Sequence, residues 1–229
     1  MSRYGRYVAI ELRIQMFKMN NIYVGIDPSI NSSGVYVRVE SSIGELLEEK
    51  FYIIKGDKLS KKEDAAELKN LAVFSYVIYD KQNTTNGTNI ENERNKAINF
   101  ISIVENIKKI IATTDFRYGK MNKIYVCQEG ISYGSRIRTK SIFDLAGLNF
   151  MIRSMVIEMG KGFKPVELIV GTPGEIKKFA TGNGNANKDL ILSCFKMIYP
   201  ELDLPKLDDI ADAYFMGMFA KKVSIEAQE

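Results

Sequence analysis

The residues best suited to do chemistry in this 229-residue chain are four acids at the ends of predicted elements. Asp27 and Glu129 each end a strand-like run of apolar residues, and Asp209 and Asp212 share one face of a late helix. Carboxylates beside apolar strands are costly unless something neutralises them. Mg²⁺ prefers oxygen ligands, so the pattern predicts a site for a hard divalent cation.

The composition restricts the chemistry that such a site could perform. The chain has no histidine, so hydrolysis would depend on carboxylates and on water activated by a metal. Cys127 and Cys194 have no close spacing, which argues against a zinc site or a disulfide framework and is typical of a reducing cytoplasm. No run of about 18 apolar residues occurs, so no membrane partner is expected.

Some of these acids also have plainer interpretations. Asp208 and Asp209 suit the first turn of a helix, where the helix dipole favours negative charge, and a glutamate that ends a strand is usually solvated. Asp212 lies further into the helix, where the dipole does not explain it. The argument for a metal site therefore depends on the combination of the four acids.

Basic residues are concentrated in one part of the sequence. The segment 131–188 carries nine Lys or Arg and four Asp or Glu, although the whole chain has a net charge of +4. This excess predicts contacts with a polyanion, although a solvated surface would show the same pattern. The candidates for these contacts are Arg136, Arg138, Lys140, Lys177 and Lys188, and the ring of Tyr133 could stack on an unpaired base if the polyanion is a nucleic acid.

The predicted elements must bring these residues together. Residues 22–27, 34–40 and 47–54 predict an antiparallel meander, followed by alternating helices and strands, so we expect an α/β fold with a mixed five-stranded sheet flanked by helices. The later elements are helices at 91–113, 141–159, 173–180, 187–198 and 206–221 and strands at 123–129 and 166–171. Residues 1–20 are predicted as an extension and 21–229 as one domain, with an insertion at about 56–98 that contains a helix near 60–72 and a loop at 81–89.

Five motifs in order then resemble those of the RuvC family of Holliday-junction resolvases. They are Gly25-Ile26-Asp27-Pro28, Gln128-Glu129, Thr172-Pro173 with Lys177, the run from Gly182 to Lys188, and Asp209-Ile210-Ala211-Asp212-Ala213. The resemblance implies a ribonuclease-H-like fold, a homodimer, and metal ligation by Asp27, Glu129, Asp209 and Asp212. It also implies that Lys188 acts beside these acids as a catalytic residue, and that Lys188 and Lys177 contact phosphate.

The resulting hypothesis is a Mg²⁺-dependent endodeoxyribonuclease that resolves four-way junctions and other branched DNA by symmetric nicking. We expect two Mg²⁺ per site, with Mn²⁺ able to replace Mg²⁺, and a cytoplasmic location. The long stretch between Asp27 and Glu129 indicates a divergent member, consistent with a phage-encoded form. The alternatives are an ATPase or phosphotransferase of the actin and sugar-kinase type, suggested by the turn after Asp27, and a junction-binding protein without catalysis.

Overall fold

A six-stranded mixed sheet forms the centre of the computed structural model, which describes residues 19–119, 122–131, 139–161 and 165–227. Strand β2 is antiparallel to β1 and β3, whereas β4, β5 and β6 run in the same direction as β1. The C-terminal ends of all strands except β2 therefore meet at one edge, here called the carboxyl edge. In spatial order the strands are β4 (Phe74–Ile78), β3 (Leu46–Lys55), β2 (Ser32–Glu40), β1 (Asn21–Asp27), β5 (Lys123–Glu129) and β6 (Val166–Gly171).

This architecture confirms the predicted α/β fold with a mixed sheet flanked by helices, with one correction in the number of strands. The sheet has six strands instead of five, because the segment predicted as an insertion contributes β4, which pairs in parallel with β3. Its five residues, Phe74–Ile78, are too short a run to be told from a helical turn by periodicity alone. The insertion thus widens the sheet on the side of β3.

Six helices lie in the described part of the chain, and four of them begin at a residue whose side chain caps the first turn. The helix predicted at 173–180 is confirmed, with Thr172 and Glu175 forming its capping box and Gly182 ending it at a φ of 78°. The helices are α1 (Lys61–Asn70), α2 (Asn89–Arg117), α3 (Thr139–Gly160), α4 (Pro173–Thr181), α5 (Lys188–Ile198) and α6 (Leu207–Glu226).

The two faces of the sheet are covered by different helices, and strand alternation decides which residues face which helix. Ile22, Val24 and Ile26 of β1 pack with α2 and α3, whereas Tyr23 lies in the cluster that contains the buried residues of α4, α5 and α6. Because side chains alternate along a strand, Asp27 belongs to the α6 face. The same alternation puts Glu129 on that face, since Cys127 lies in the same cluster as Tyr23.

Helix α6 lies unusually close to β1 and β2 because glycines form the contact. A Cβ on Gly25 would lie 1.9 Å from the Ala213 carbonyl oxygen, and one on Gly34 would lie 2.3 Å from the Asp209 carbonyl oxygen. Gly217 on the helix side has its α-carbon against Tyr36 and the Gly25 amide. Any larger residue at these positions would push the helix away from the sheet.

The remaining expectations on chain organisation stay predictions. They are the division into one domain with an insertion at about 56–98 and the N-terminal extension, of which residues 1–18 lie outside the described residues. Among the described helices, none combines the length and hydrophobicity that crossing a membrane requires.

Candidate active site

Asp27 and Glu129 lie side by side at the carboxyl edge of the sheet. Their strands are parallel neighbours in which Ile26 is paired with Gln128, so each acid is the next residue along its strand. Both are half-buried. Adjacent strands are about 4.8 Å apart, so this pairing alone brings the two carboxylates into one site.

Asp209 and Asp212 reach the same edge from the first turns of α6. The close contact of this helix with Gly34 fixes Asp209, because Gly34 is the residue paired with Asp27 in the sheet. The Ser32 hydroxyl donates a hydrogen bond of 2.7 Å to Asp209 Oδ2 and joins the helix to β2. Three separate elements thus deliver the four acids that the sequence singles out to one place.

Asp27 and Glu129 lie where burial and the charges of neighbouring acids both act on their carboxyl groups. Burial raises the pKa of Asp27 well above its ordinary value, and repulsion from Asp212, Asp209 and Glu129 raises it further. The pKa of Glu129 is also raised, first by burial and then by the charge of Asp212. These are the shifts expected where like charges are held together in a partly dry site.

The pKa values of Asp209 and Asp212 are raised as well, but different neighbours offset the two shifts. Burial raises the pKa of both, and the charge of Asp208 adds to each shift. The hydrogen bond from Ser32 partly offsets the shift of Asp209. Among the described residues, the Ser32 hydroxyl is the one hydrogen-bond donor to any of the four carboxylates.

Two lysines lie at the rim of the acid cluster. The charge of Lys188 lowers the pKa of all four acids, and that of Lys177 lowers those of Glu129 and Asp212. Lys188 is exposed, with Nζ 3.8 Å from Asp208 Oδ2. Asp208 is therefore a rim residue paired with a lysine, and the ammonium groups of the rim are open to an anionic ligand.

The donor set of this site fits a hard divalent cation in charge and chemistry. It offers oxygen atoms only, and the neighbouring Cys127 is buried with a thiol pKa raised to about 12, which makes it a poor ligand. In the part of the chain that the structure describes, however, no three acidic or thiol side chains converge on a point that could hold an ion. Ion binding would have to draw the carboxylates together.

A buried polar network behind Glu129 is a feature that the sequence does not reveal. The Gln128 amide donates to Asn149 Oδ1 at 2.8 Å, and Arg153 donates to Gln128 Oε1 at 3.3 Å and to the Glu129 carbonyl oxygen at 3.2 Å. Gln128 and Asn149 are almost fully buried. The network fixes the end of β5 from the α3 side, where Asn149 also lines a cavity of about 190 Å³ that Asp27 and Glu129 share.

The predicted DNA-binding loop is only partly described. Tyr133, Arg136 and Arg138 lie outside the described residues, and for Lys140 only the backbone is described, in the first turn of α3. The loop starts at Gly130, next to Glu129, and α3 begins where it ends. Its contact with DNA remains a prediction.

Comparisons with known proteins identify structural similarity but no sequence match. No protein-family model matches the chain, and no curated protein matches it in sequence. Thermus thermophilus RuvC is similar with a TM-score of 0.43 and 16% identity, covering 90% of this chain and 97% of that one. T. thermophilus RuvC in complex with a Holliday junction substrate gives a TM-score of 0.45 and 17% identity, over 87% and 91%. The yeast mitochondrial Holliday junction resolvase Ydc2 gives a TM-score of 0.45 and 15% identity, over 99% and 90%.

At these identities and TM-scores the similarities carry no functional argument. The function proposed below rests on the chain's own residues.

Proposed function

We propose that this protein is a metal-dependent endodeoxyribonuclease that resolves four-way DNA junctions, and other branched DNA, by symmetric nicking. One observation carries the proposal, namely the four half-buried carboxylates that three elements bring to one edge of the sheet. Burial and like charges raise their pKa values, and the charges of Lys188 and Lys177 offset these shifts only in part. A site of this kind is suited to bind cations and to use them on a phosphodiester.

Asp27, Glu129, Asp209 and Asp212 would hold Mg²⁺, with Mn²⁺ as a substitute and two ions per site. Such ions supply a nucleophile at neutral pH and neutralise charge on the phosphate and on the leaving oxygen. The arrangement of two strand-end acids and two helix acids suits this role, because ligands from different elements can adjust as ions bind. The expected products carry a 5′-phosphate and a 3′-hydroxyl.

The chain's other residues would orient the acids and the phosphate. Ser32 holds one oxygen of Asp209 and leaves the other free. Arg153 and Gln128 fix the backbone at Glu129 from behind. Lys188, which is exposed and close to Asp208, would contact the scissile phosphate and assist the chemistry, with Lys177 beside it.

The loop after β5 would hold the branched part of the substrate. Arg136, Arg138 and Lys140 would bind backbone phosphates, so that affinity falls steeply as salt rises. Tyr133 would stack on an unpaired base at the branch point, a contact worth about 1–3 kcal/mol. The proximity of this loop to Glu129 in sequence supports the assignment.

Symmetric nicking of a four-way junction is best served by a homodimer, which we include in the proposal. An apolar stripe on α3 supports it, since Phe143, Phe150 and Ile157 recur every seven residues and are 70%, 59% and 53% exposed. A stripe of this length on a helix is the kind of surface that a second copy would cover. Sedimentation of wild type and of the Phe150→Ser variant would test it, with a lighter species expected for the variant.

The experiment for the proposed function is a cleavage assay with purified protein in the presence and absence of Mg²⁺. End-labelled four-way junctions should be nicked at paired positions only when Mg²⁺ is present, whereas linear duplex of the same sequence should remain intact. Cleavage without any divalent cation would contradict the proposal. Two further results would support the alternatives: ATP hydrolysis without DNA would favour the ATPase, and binding of junctions without cleavage would favour the non-catalytic protein.

A further inference from the structure

The insertion at about 56–98 places two loops at the same edge of the sheet as the four acids. Strands β3 and β4 run in the direction of β1, so the chain leaves them at the carboxyl edge. The loop after β3 contains Asp57 and Lys58, and the loop after β4 contains residues 79–88.

The second loop is fixed in place by a buried asparagine. The Asn99 side chain, which is 3% exposed, accepts a hydrogen bond of 2.8 Å from the Gln82 amide and donates one of 2.9 Å to the Gln82 carbonyl. The Asn83 carbonyl accepts from Asn95 at 2.6 Å, and Asn83 Oδ1 accepts from the amides of Thr85 and Asn86. These contacts hold the loop in one conformation although most of it is exposed.

A single side chain connects this loop to the acid cluster. Lys81 Nζ lies 3.4 Å from the Asn31 amide oxygen, and the next residue, Ser32, donates to Asp209. The stem of Lys81 packs on Gly56, where a Cβ would lie 2.5 Å from the Lys81 Cβ. Around Lys81, a polar cavity of about 330 Å³ is lined by Asp57, Gln82, Asn83, Thr84 and Thr85.

We propose that the loops at 56–60 and 79–88 form a second binding site for the DNA backbone, where Lys58, Lys81 and the polar groups of the cavity contact phosphates of a duplex arm. The inference rests on the proposed function and extends it to a surface that the insertion creates. Strands are about 4.8 Å apart, so the ends of β3 and β4 lie about 10–15 Å from the end of β1. Duplex DNA advances about 3.4 Å per phosphate on each strand, so these loops would meet an arm about three to four base pairs from the scissile phosphate.

Asp57 gives the proposal a test in which affinity should rise. Its carboxylate is 73% exposed and lies 4.0 Å from Lys81 Nζ, so it would repel a phosphate at that point. Asp57→Asn should therefore tighten binding of junctions and duplex arms, whereas Lys58→Glu with Lys81→Glu should weaken it. A general disturbance of the fold would not make substitutions in one small region change DNA affinity in opposite directions.

The experiment measures binding of a fluorescent four-way junction by anisotropy in EDTA, so that cleavage plays no part. Lys58→Glu/Lys81→Glu should weaken binding about tenfold and lower the slope of log K against log salt by about two. The matched control is Lys69→Glu/Lys109→Glu, which changes net charge equally at exposed positions. Lys69 lies in the last turn of α1, away from the carboxyl edge, and this control should bind nearly as wild type does.

Circular dichroism checks that each variant folds, and Lys58→Ala/Lys81→Ala provides a milder double substitution if the charge reversal does not fold. The outcomes distinguish the second site from the proposed function. If the two double charge reversals bind equally, or if Asp57→Asn does not tighten binding, the second site is wrong while the proposed function stands. If the wild type binds no DNA, both fail. A further substrate is a junction with uncharged methylphosphonate linkages about three to four base pairs from the cut. Wild type should bind this junction more weakly than the unmodified one, whereas the Lys58→Glu/Lys81→Glu variant should bind both equally. Equal weakening for both proteins would overturn the proposed position.

Discussion

The two ends of the contact between α6 and the sheet use carboxylates in opposite ways. At the carboxyl edge, Asp27, Glu129, Asp209 and Asp212 repel one another and have one hydroxyl donor within the described chain. At the other end, Glu40, which is 3% exposed, accepts hydrogen bonds from Arg38 at 2.5 Å and from Lys221 at 2.6 Å.

The charges at the Glu40 end are compensated within the protein. Glu49, which is half-buried, accepts from the Tyr36 hydroxyl at 2.5 Å and from Arg38 at 3.1 Å, so both acids have partners within the protein. Buried charges are normally paired in this way because an isolated one is costly. Acids that stabilise the fold thus have strong partners within the protein, whereas the acids at the carboxyl edge have fewer and weaker ones, as expected for side chains available to a ligand.

The largest expected effect is the loss of cleavage when the acid cluster loses a ligand. Asp27→Asn should reduce the rate of junction cleavage about 10³-fold, equal to about 4 kcal/mol, because a neutral amide is a poorer cation ligand of similar size. Junction binding should persist. Asp208→Asn is the matched control on the rim and should be much milder than Asp209→Asn or Asp212→Asn. Gel assays would measure cleavage and binding by each variant. If Asp208→Asn lost more activity than Asp209→Asn or Asp212→Asn, α6 would present other acids to the site than the structure indicates.

At the Glu40 end of the contact, removal of a single acid should lower the stability of the protein and leave DNA cleavage intact. Glu40→Ala would leave Arg38 and Lys221 without their common partner in a poorly solvated place, and the free energy of unfolding should fall by about 3 kcal/mol. The exposed Lys222–Glu226 pair offers the control, since Glu226→Ala should change stability by less than about 0.5 kcal/mol. Urea denaturation measures both; equal effects would show that burial does not distinguish the two acids.

A substitution at the contact between the helix and the sheet should disturb the acid cluster without changing any acid. The methyl group of Gly34→Ala would overlap the Asp209 carbonyl, so the start of α6 must move and stability should fall by about 2 kcal/mol. Cleavage should fall with it, because Asp209 moves with the helix. Gly147→Ala in α3, whose Cβ would meet nothing closer than 3.8 Å, should keep cleavage and stability near wild type. Normal cleavage by Gly34→Ala would mean that the position of Asp209 is not critical.

The raised pKa values predict a smaller effect that depends on pH. A folded-state pKa above the ordinary value of 3.8 for Asp means that the folded protein binds protons more readily than the unfolded chain, so charge at Asp27 costs stability at neutral pH. Without metal, Asp27→Asn should therefore be more stable than wild type by about 1 kcal/mol at neutral pH. This difference should shrink as pH falls through the raised pKa. Unfolding curves in EDTA at a series of pH values would show it, and a difference that grows on acidification would contradict the assigned sign.

Much of the fold and the acids of the candidate site could be predicted from sequence because their signals are local. A strand that ends in an acid, a capping box at Thr172, and a pair of acids three apart on a helix each lie within a few residues. The bond between Ser32 and Asp209 joins residues 177 apart, and Arg153 reaches back to Gln128 from another element. Such pairings depend on tertiary packing, which local patterns do not carry.

In the segment predicted as an insertion, a whole strand depends on tertiary packing and could not be predicted from the sequence. Strand β4 is a short run in a polar segment, and it becomes a strand because β3 offers an edge to pair with. Glu67 then accepts a hydrogen bond of 2.7 Å from the Tyr76 amide and occupies part of the new edge. The pairing of β4 with β3 and the contact of Glu67 with Tyr76 cannot be recognised from either stretch of sequence alone.

If the four acids of the carboxyl edge hold a divalent cation, Mg²⁺ should stabilise the folded protein, and thermal unfolding with and without Mg²⁺ measures this stabilisation. At about 100 times its dissociation constant, Mg²⁺ should stabilise wild type by about 2.7 kcal/mol. Asp208→Asn should respond in the same way, and Asp27→Asn should respond little or not at all. If Asp27→Asn gained as much stability from Mg²⁺ as wild type, the acid cluster would not be the ion's binding site and the account would be wrong.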